Sequence, residues 1–229
     1  MGISGGPDLI QDGLLVNLDA SDKNSYPGSG TTWFDLSGNG NNFTFSATPT
    51  MTGGVFNSGA STYAYRNAIA VDSSVSGYTL EAFFKINSST GGSWQNVTQN
   101  GGEDPGRHMM WYNGGSNTFQ ALFHTPNAYN NISDTLSIGV WYYLQLSYSP
   151  SGGGSNGRRA WLNGVEKTVN NTAAGNATPS GYFTISVDSD LVSNKSDMSY
   201  SSVRYYNRSL SPSEVLQNYN ALKSRFGLK

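Results

Sequence analysis

Apolar and polar residues alternate along much of this chain, at the period of two expected of half-buried strands. Gly13-Leu14-Leu15-Val16-Asn17-Leu18-Asp19 places Leu14, Val16 and Leu18 on one face. Tyr78-Thr79-Leu80-Glu81-Ala82-Phe83-Phe84-Lys85-Ile86 directs Leu80, Ala82, Phe84 and Ile86 to one side, Glu81 and Lys85 to the other. Further strands are predicted at 118–123, 141–148, 183–187 and 201–206. Arg159-Ala160-Trp161-Leu162 runs into Asn163-Gly164, the strongest short hairpin signal, because both residues tolerate positive φ in a type I′ turn. Residues 165–169 form the return strand.

The segments between are turn chemistry. Residues 21–42 carry two apolar anchors, Trp33 and Leu36. Residues 87–117 read as a long Gly/Asn/Ser-rich region interrupted by Trp94 and by Met109-Met110-Trp111-Tyr112. The stretch 149–157 is the most flexible-looking loop, and residues 1–12 read as an arm. One helix is predicted, over 211–224. Ser211-Pro212-Ser213-Glu214 supplies an N-cap, a proline at the first helical position and a capping-box glutamate. Val215, Leu216, Tyr219 and Leu222 follow at helical spacing. No linker divides the series, so the reading is one all-β domain at 13–229 behind the arm.

Composition narrows the function classes. Charged residues are 12% of 229 and the net charge is −2. No Lys/Arg cluster exists to displace counterions from phosphate, which argues against nucleic acid. No apolar run approaches the roughly 18 residues of a membrane span. Aromatic residues at 13% argue for a packed core rather than disorder. Cysteine is absent, which removes disulfides and thiolate sites and, with no basic-then-apolar leader at the N-terminus, points to synthesis in a reducing cytoplasm.

Several motifs together resemble a known family. Leu18-Asp19-Ala20 and Ser25-Tyr26-Pro27-Gly28-Ser29-Gly30-Thr31-Thr32-Trp33-Phe34-Asp35-Leu36-Ser37-Gly38-Asn39-Gly40-Asn41-Asn42 look like the opening of concanavalin A-like, laminin-G-type jelly-roll domains, in the version found in phage structural proteins. Tyr78-Thr79-Leu80-Glu81-Ala82-Phe83 resembles their core strand. Trp141-Tyr142-Tyr143-Leu144 and Trp161-Leu162-Asn163-Gly164-Val165 resemble a later strand and hairpin. Tyr205-Tyr206-Asn207-Arg208-Ser209-Leu210-Ser211-Pro212-Ser213-Glu214 resembles their ending. Where relatives commonly have Phe-Asp-Gly and acidic residues, this chain has Phe56-Asn57-Ser58-Gly59-Ala60-Ser61.

The resemblance implies an antiparallel two-sheet jelly-roll sandwich with one short C-terminal helix. It implies a virion structural protein, a capsid decoration or appendage subunit, made in the host cytoplasm. Its partners would be other virion proteins, met through the arm or a sheet face; a monomer and a homo-oligomer are both open. The alternative is a carbohydrate-binding adhesion module recognising host cell-surface polysaccharide.

The candidate chemistry is sparse. Paired carboxylates of the glycosidase kind need alternate positions on one strand, yet Glu81, Glu103, Glu166 and Glu214 lack acidic neighbours at that spacing. Glu81 reads as structural. His108 and His124 have no nucleophile elbow beside them, so no enzyme is expected. Calcium needs six to eight oxygens. Asp188 and Asp190 share a strand face and are the candidate ligands, with Asp197 near in sequence; no other cofactor is implied. Asp35-x-x-Gly38-Asn39-Gly40 reads instead as a side-chain-capped turn. Sugars need aromatic platforms beside amides, because their apolar faces are ringed by hydroxyls. Trp94, Trp111, Tyr112 and Tyr129, with Asn96, Asn113, Asn127 and Asn130, fit that need; the competing reading packs Trp94 and Trp111 beneath the loops.

Overall fold

A computed structural model describes residues 8–72, 75–89, 94–102, 107–123, 129–132, 134–152, 157–169, 178–226 and 228, with the backbone alone for 121–123 and 129–131. The strands begin with β1 (Leu14–Asp19), β2 (Thr32–Trp33), β3 (Phe43–Phe45), β4 (Thr50–Thr52), β5 (Val55–Asn57) and β6 (Ala64–Asn67). They continue with β7 (Tyr78–Ile86), β8 (Trp94–Asn100), β9 (His108–Asn113), β10 (Thr118–Phe123) and β11 (Tyr129–Ile132). The last are β12 (Trp141–Tyr148), β13 (Arg158–Leu162), β14 (Val165–Lys167), β15 (Tyr182–Ile185) and β16 (Met198–Tyr206). Helix α1 (Pro212–Leu222) follows, continued by a 3₁₀ turn at Lys223–Phe226.

Two antiparallel sheets result, as expected for a jelly-roll sandwich. The first runs β14-β13-β12-β7-β16-β5-β4, with β1 also paired to β16. The second runs β11-β10-β9-β8-β15-β6-β3-β2. Their inner faces share one core, to which β7 gives Leu80, Ala82, Phe84 and Ile86, as its alternation predicts. Short strands contribute rings to this core: Trp33 stacks on Phe45 at 5.3 Å between centroids, and Phe45 meets Phe56 at 4.9 Å.

Four expectations need adjustment. Leu14, Val16 and Leu18 do not share a face. A bulge between Leu14 and Val16 turns Leu14 to the opposite side, while Val16 and Leu18 enter the core. Residues 87–117 are not a loop region but contain β8 and β9. Lys85 and Glu81 do face away from the core, yet α1 covers that side, so Glu81 is fully buried. Finally, Leu9 and Ile10, in the segment read as an arm, pack against the helix-side cluster. Residues 1–7 lie outside the described residues.

The capping box at α1 forms as its sequence dictates: Glu214 N donates to Ser211 Oγ, and Ser211 N donates to Glu214 Oε2 at 2.8 Å. Val215, Tyr219 and Leu222 then pack on Phe83, Tyr143, Trp161 and Tyr206 of the first sheet. Beneath them Asn218 Nδ2 donates to both Glu81 oxygens, at 3.0 and 3.2 Å, and to Tyr206 Oη at 3.0 Å. Arg204 Nη1 lies 3.9 Å from Glu81. Burial pushes the Glu81 carboxyl up, with the Arg204 charge and the Asn218 hydrogen bond opposing it. The Asn163-Gly164 hairpin adopts positive φ at both positions, 52° and 77°. A Cβ at Gly164 would come within 2.8 Å of the Tyr219 ring, so the turn also seats the helix.

Candidate functional site

The face of the second sheet that points away from the core carries the aromatic and amide residues of interest. Strand register places them. Asn96 on β8 pairs with Trp111 on β9, Trp111 with Gln120 on β10, and Gln120 with Asn131 on β11. One row further, Trp94 pairs with Asn113, and Asn113 with Thr118. Alternation sends Met110 and Tyr112 into the core and leaves Met109, Trp111 and Asn113 on the outer face.

Trp94 is half-buried and lies against Trp111, with ring centroids 5.5 Å apart and planes 33° apart. Met109 packs behind them as a small satellite cluster. Trp111 is 9% exposed, so Trp94 is the ring of the pair that meets solvent. Trp111 supports from beneath, and Trp94 keeps part of its ring exposed. Asn96 is buried and donates through Nδ2 to Gln99 Oε1, while its Oδ1 has no hydrogen-bond partner among the described residues. Asn113 Oδ1 accepts from Gly115 N at 2.8 Å and Ser116 N at 3.2 Å, fixing the β9–β10 turn.

Tyr112 does not belong to this surface. Its ring is fully buried in the core and its hydroxyl donates to Asn117 at 2.7 Å. Neighbours on a strand face opposite sides, so the pair Trp111-Tyr112 cannot present both rings together. The β11 backbone sets Tyr129 opposite Leu122; the side chains of Tyr129 and Asn130 lie outside the described residues, as do Asn127 and His124.

Sequence reasoning missed a second group of rings on the same outer face. Tyr63 and Tyr65 have centroids 5.9 Å apart, and Tyr65 meets Tyr182 edge-on at 5.9 Å. Tyr182 is 37% exposed, and Lys195 Nζ lies 5.5 Å from the Tyr63 ring centre. The available signal was the alternation Tyr63-Ala64-Tyr65, in which Ala64 is buried. Tyr182 joins only through the pairing of β15 with β6.

The acidic candidates are committed to local backbone. Asp190 Oδ1 accepts from Val192 N and Ser193 N, both at 2.8 Å. Burial works against its charge, but the Ser193 and Val192 hydrogen bonds hold the carboxyl below its ordinary range. Asp188 accepts from Ser189 N at 2.7 Å and Asn194 Nδ2 at 3.1 Å. Asp197 accepts from Ser88 Oγ at 2.7 Å. Calcium would need six to eight oxygens converging on one point. No group of three or more His, Cys, Asp or Glu able to hold a metal occurs among the described residues. Asp35 takes the capping role read for it: its two oxygens accept from Asn17 N, Ser37 N, Ser37 Oγ and Asn41 N at 2.6–3.0 Å. It ties β1 to the loop that follows β2.

A model of the concanavalin A-like lectin/glucanases superfamily matches residues 57–216. The chain belongs to this superfamily. No curated protein matches it by sequence. Among solved structures, the superfamily sandwich recurs in Trypanosoma rangeli sialidase in complex with sialic acid, at TM-score 0.68 and 15% identity over 93% of this chain and 33% of that one. It recurs in a botulinum neurotoxin type C structure, a toxin whose cell entry depends on interaction with two ganglioside molecules. There the TM-score is 0.68 and the identity 12%, over 93% of this chain and 52% of that one. The receptor-binding domain of the botulinum C/D mosaic serotype gives 0.68 and 12%, over 92% and 51%. The chain thus spans about a third of the sialidase and half of the toxin chains, and identities this low speak for the fold. The sialidase matches correct the expectation that the chain is not an enzyme: this sandwich is part of enzyme chains, and the lack of a paired-carboxylate motif does not exclude catalysis.

Proposed function

We propose that the chain binds carbohydrate on the outer face of its second sheet, at Trp94. The observation that carries this reading is the Trp94–Trp111 pair, one ring reaching solvent and the other supporting it, with Asn113 and Gln120 beside them in register. An indole face takes the apolar face of a pyranose, and the Asn113 amide, its oxygen held by the β9–β10 turn, has its Nδ2 donors for sugar hydroxyls. Superfamily membership supports the reading, as does the ganglioside interaction of the toxin that shares the fold. The Tyr63–Tyr65–Tyr182 group lies on the strands beyond β8. Tyr182 stands two strands from Trp111 and, by register, four positions along, roughly 10 Å across the sheet and about 13 Å along it. That separation suits an oligosaccharide better than a single sugar.

The virion role implied by the likeness to phage modules has no observation of its own in the fold, and the adhesion reading stands in its place. Many weakly binding copies on one particle would gain avidity, so the two settings are compatible. A glycan array probed with the intact chain and with Trp94→Ala tests the proposal. Binding by the first and loss by the second is expected. Equal binding by both moves the site off Trp94, and no binding to any glycan refutes the reading.

A further inference from the structure

At one end of the sandwich a row of large polar side chains lies between the sheets. Tyr148 on β12 is the strand partner of both Tyr78 on β7 and Arg158 on β13, so the three occupy adjacent positions. From the facing sheet the His108 ring lies flat on Tyr78, with centroids 3.3 Å apart and planes 10° apart. His108 Nδ1 is 2.8 Å from Tyr205 Oη.

Arg158 is only 1% exposed. Its Nε, Nη1 and Nη2 have no hydrogen-bond partner among the described residues, and neither does the buried Tyr78 hydroxyl. The guanidinium carbon stands 5.9 Å from the Tyr148 ring centre, over its aromatic face. Burial pushes the Arg158 guanidinium down from its ordinary value.

A guanidinium stays charged at any physiological pH and has five N–H donors but no acceptor. A cation–π contact returns far less than the cost of burying an uncompensated charge. The imbalance here has a definite sign. Gln145, also buried without partners, carries a donor and an acceptor and selects no charge. Arg204, the other fully buried arginine, has Asn17 Oδ1 at 3.0 Å and Glu81 at 3.9 Å. Arg158 presents donors only, and the neighbouring Tyr78 hydroxyl has a proton to add to them.

We propose that Arg158 and Tyr78 form a site for a small monovalent anion, of chloride or formate size, held between the two sheets. The single charge of Arg158 sets the anion's charge at one, and the near-complete burial of the guanidinium restricts the size. Chloride and a small carboxylate offer the same acceptor chemistry. The site is separate from the outer face around Trp94, so its test leaves the carbohydrate reading untouched.

The experiment is ³⁵Cl NMR line broadening on the intact chain in sodium chloride, alongside thermal melts at constant ionic strength. In the melts, chloride replaces the bulky sulfonate MES. The expected results are an excess linewidth proportional to protein concentration and a Tm that rises with chloride and saturates. Arg158→Met should remove both effects, and Tyr78→Phe should weaken apparent chloride affinity several-fold. If Arg158→Met does not fold, Tyr78→Phe and competition decide: formate displacing chloride more strongly than bromide does identifies a carboxylate site, and the reverse a halide site. A wild-type linewidth no greater than the free-ion value, together with a Tm indifferent to chloride and formate, overturns the proposal. So does excess broadening that Tyr78→Phe and both competitors leave unchanged.

Discussion

Replacing Asn218 by alanine should uncouple the helix from the sheet beneath it. Asn218 is fully buried, and its side chain serves two elements at once. Nδ2 donates to both oxygens of Glu81 and to Tyr206, while Oδ1 accepts from Ile10 N at 2.9 Å. A hydrogen bond to a charged group is worth about 1.5–3 kcal/mol, and an orphaned backbone N–H about 1 kcal/mol more. The loss should therefore be about 3 kcal/mol. In a domain of this size each kcal/mol moves Tm by roughly 2–4 °C, so a fall of about 6–12 °C is expected. Urea unfolding followed by far-UV circular dichroism measures the free energy directly. A double-mutant cycle with Glu81→Gln should show coupling of about 1 kcal/mol or more, because the two residues share one bond network. A cost below about 1 kcal/mol, or strict additivity, would refute the claim that this amide stabilises the buried carboxylate.

Other outcomes follow from single residues. Two hydrogen bonds from Arg208 hold the Glu214 carboxyl at about 2, against the opposing effect of burial and below its ordinary 4.5. A lowered folded-state value means that this contribution is complete above about pH 4.5 and disappears as pH falls towards 2, about 1–2 kcal/mol once solvent screening is allowed for. Glu214→Gln should flatten that part of the stability–pH curve, and an unchanged acid limb would contradict it. Asp35→Ala strands four donors of the β1–loop tie and should cost about 2 kcal/mol in urea unfolding; a neutral result would show the turn to be self-supporting. Thermal melts with EDTA and with added calcium should superimpose, since Asp188 and Asp190 are spent on their own turn. A calcium-dependent rise in Tm would show a site at those carboxylates.

The parts of this fold that sequence could reveal are those whose apolar and polar residues alternate, or that carry obligatory turn chemistry. β12, β7, the Asn163-Gly164 turn and the Ser211–Glu214 cap all belong to that class. β8 does not. Gln95, Asn96, Thr98, Gln99 and Asn100 are all buried, so polar residues occupy both faces and leave no alternation to read. The buried Glu81 was legible as a structural residue, but the helix that covers it comes more than a hundred positions later in the chain. For the site, residue type pointed to Trp94 and Trp111, and only pairing of β8 with β9 brings the rings together. Trp111 and Tyr112 look alike as adjacent aromatics; strand geometry sends one outward and the other into the core. Tyr63, Tyr65 and Tyr182 become neighbours through a pairing of strands far apart in sequence, which local pattern does not encode.

The central claim is that Trp94 meets a sugar on the outer face of the second sheet. Titrating the intact chain with the strongest glycan from the array, and following tryptophan fluorescence, tests it most directly. Saturable quenching is expected, weakened at least about tenfold in Trp94→Ala, or about 1.4 kcal/mol, while the circular dichroism spectrum stays that of the parent. The same affinity in both proteins would contradict the account and place carbohydrate recognition elsewhere on the sandwich.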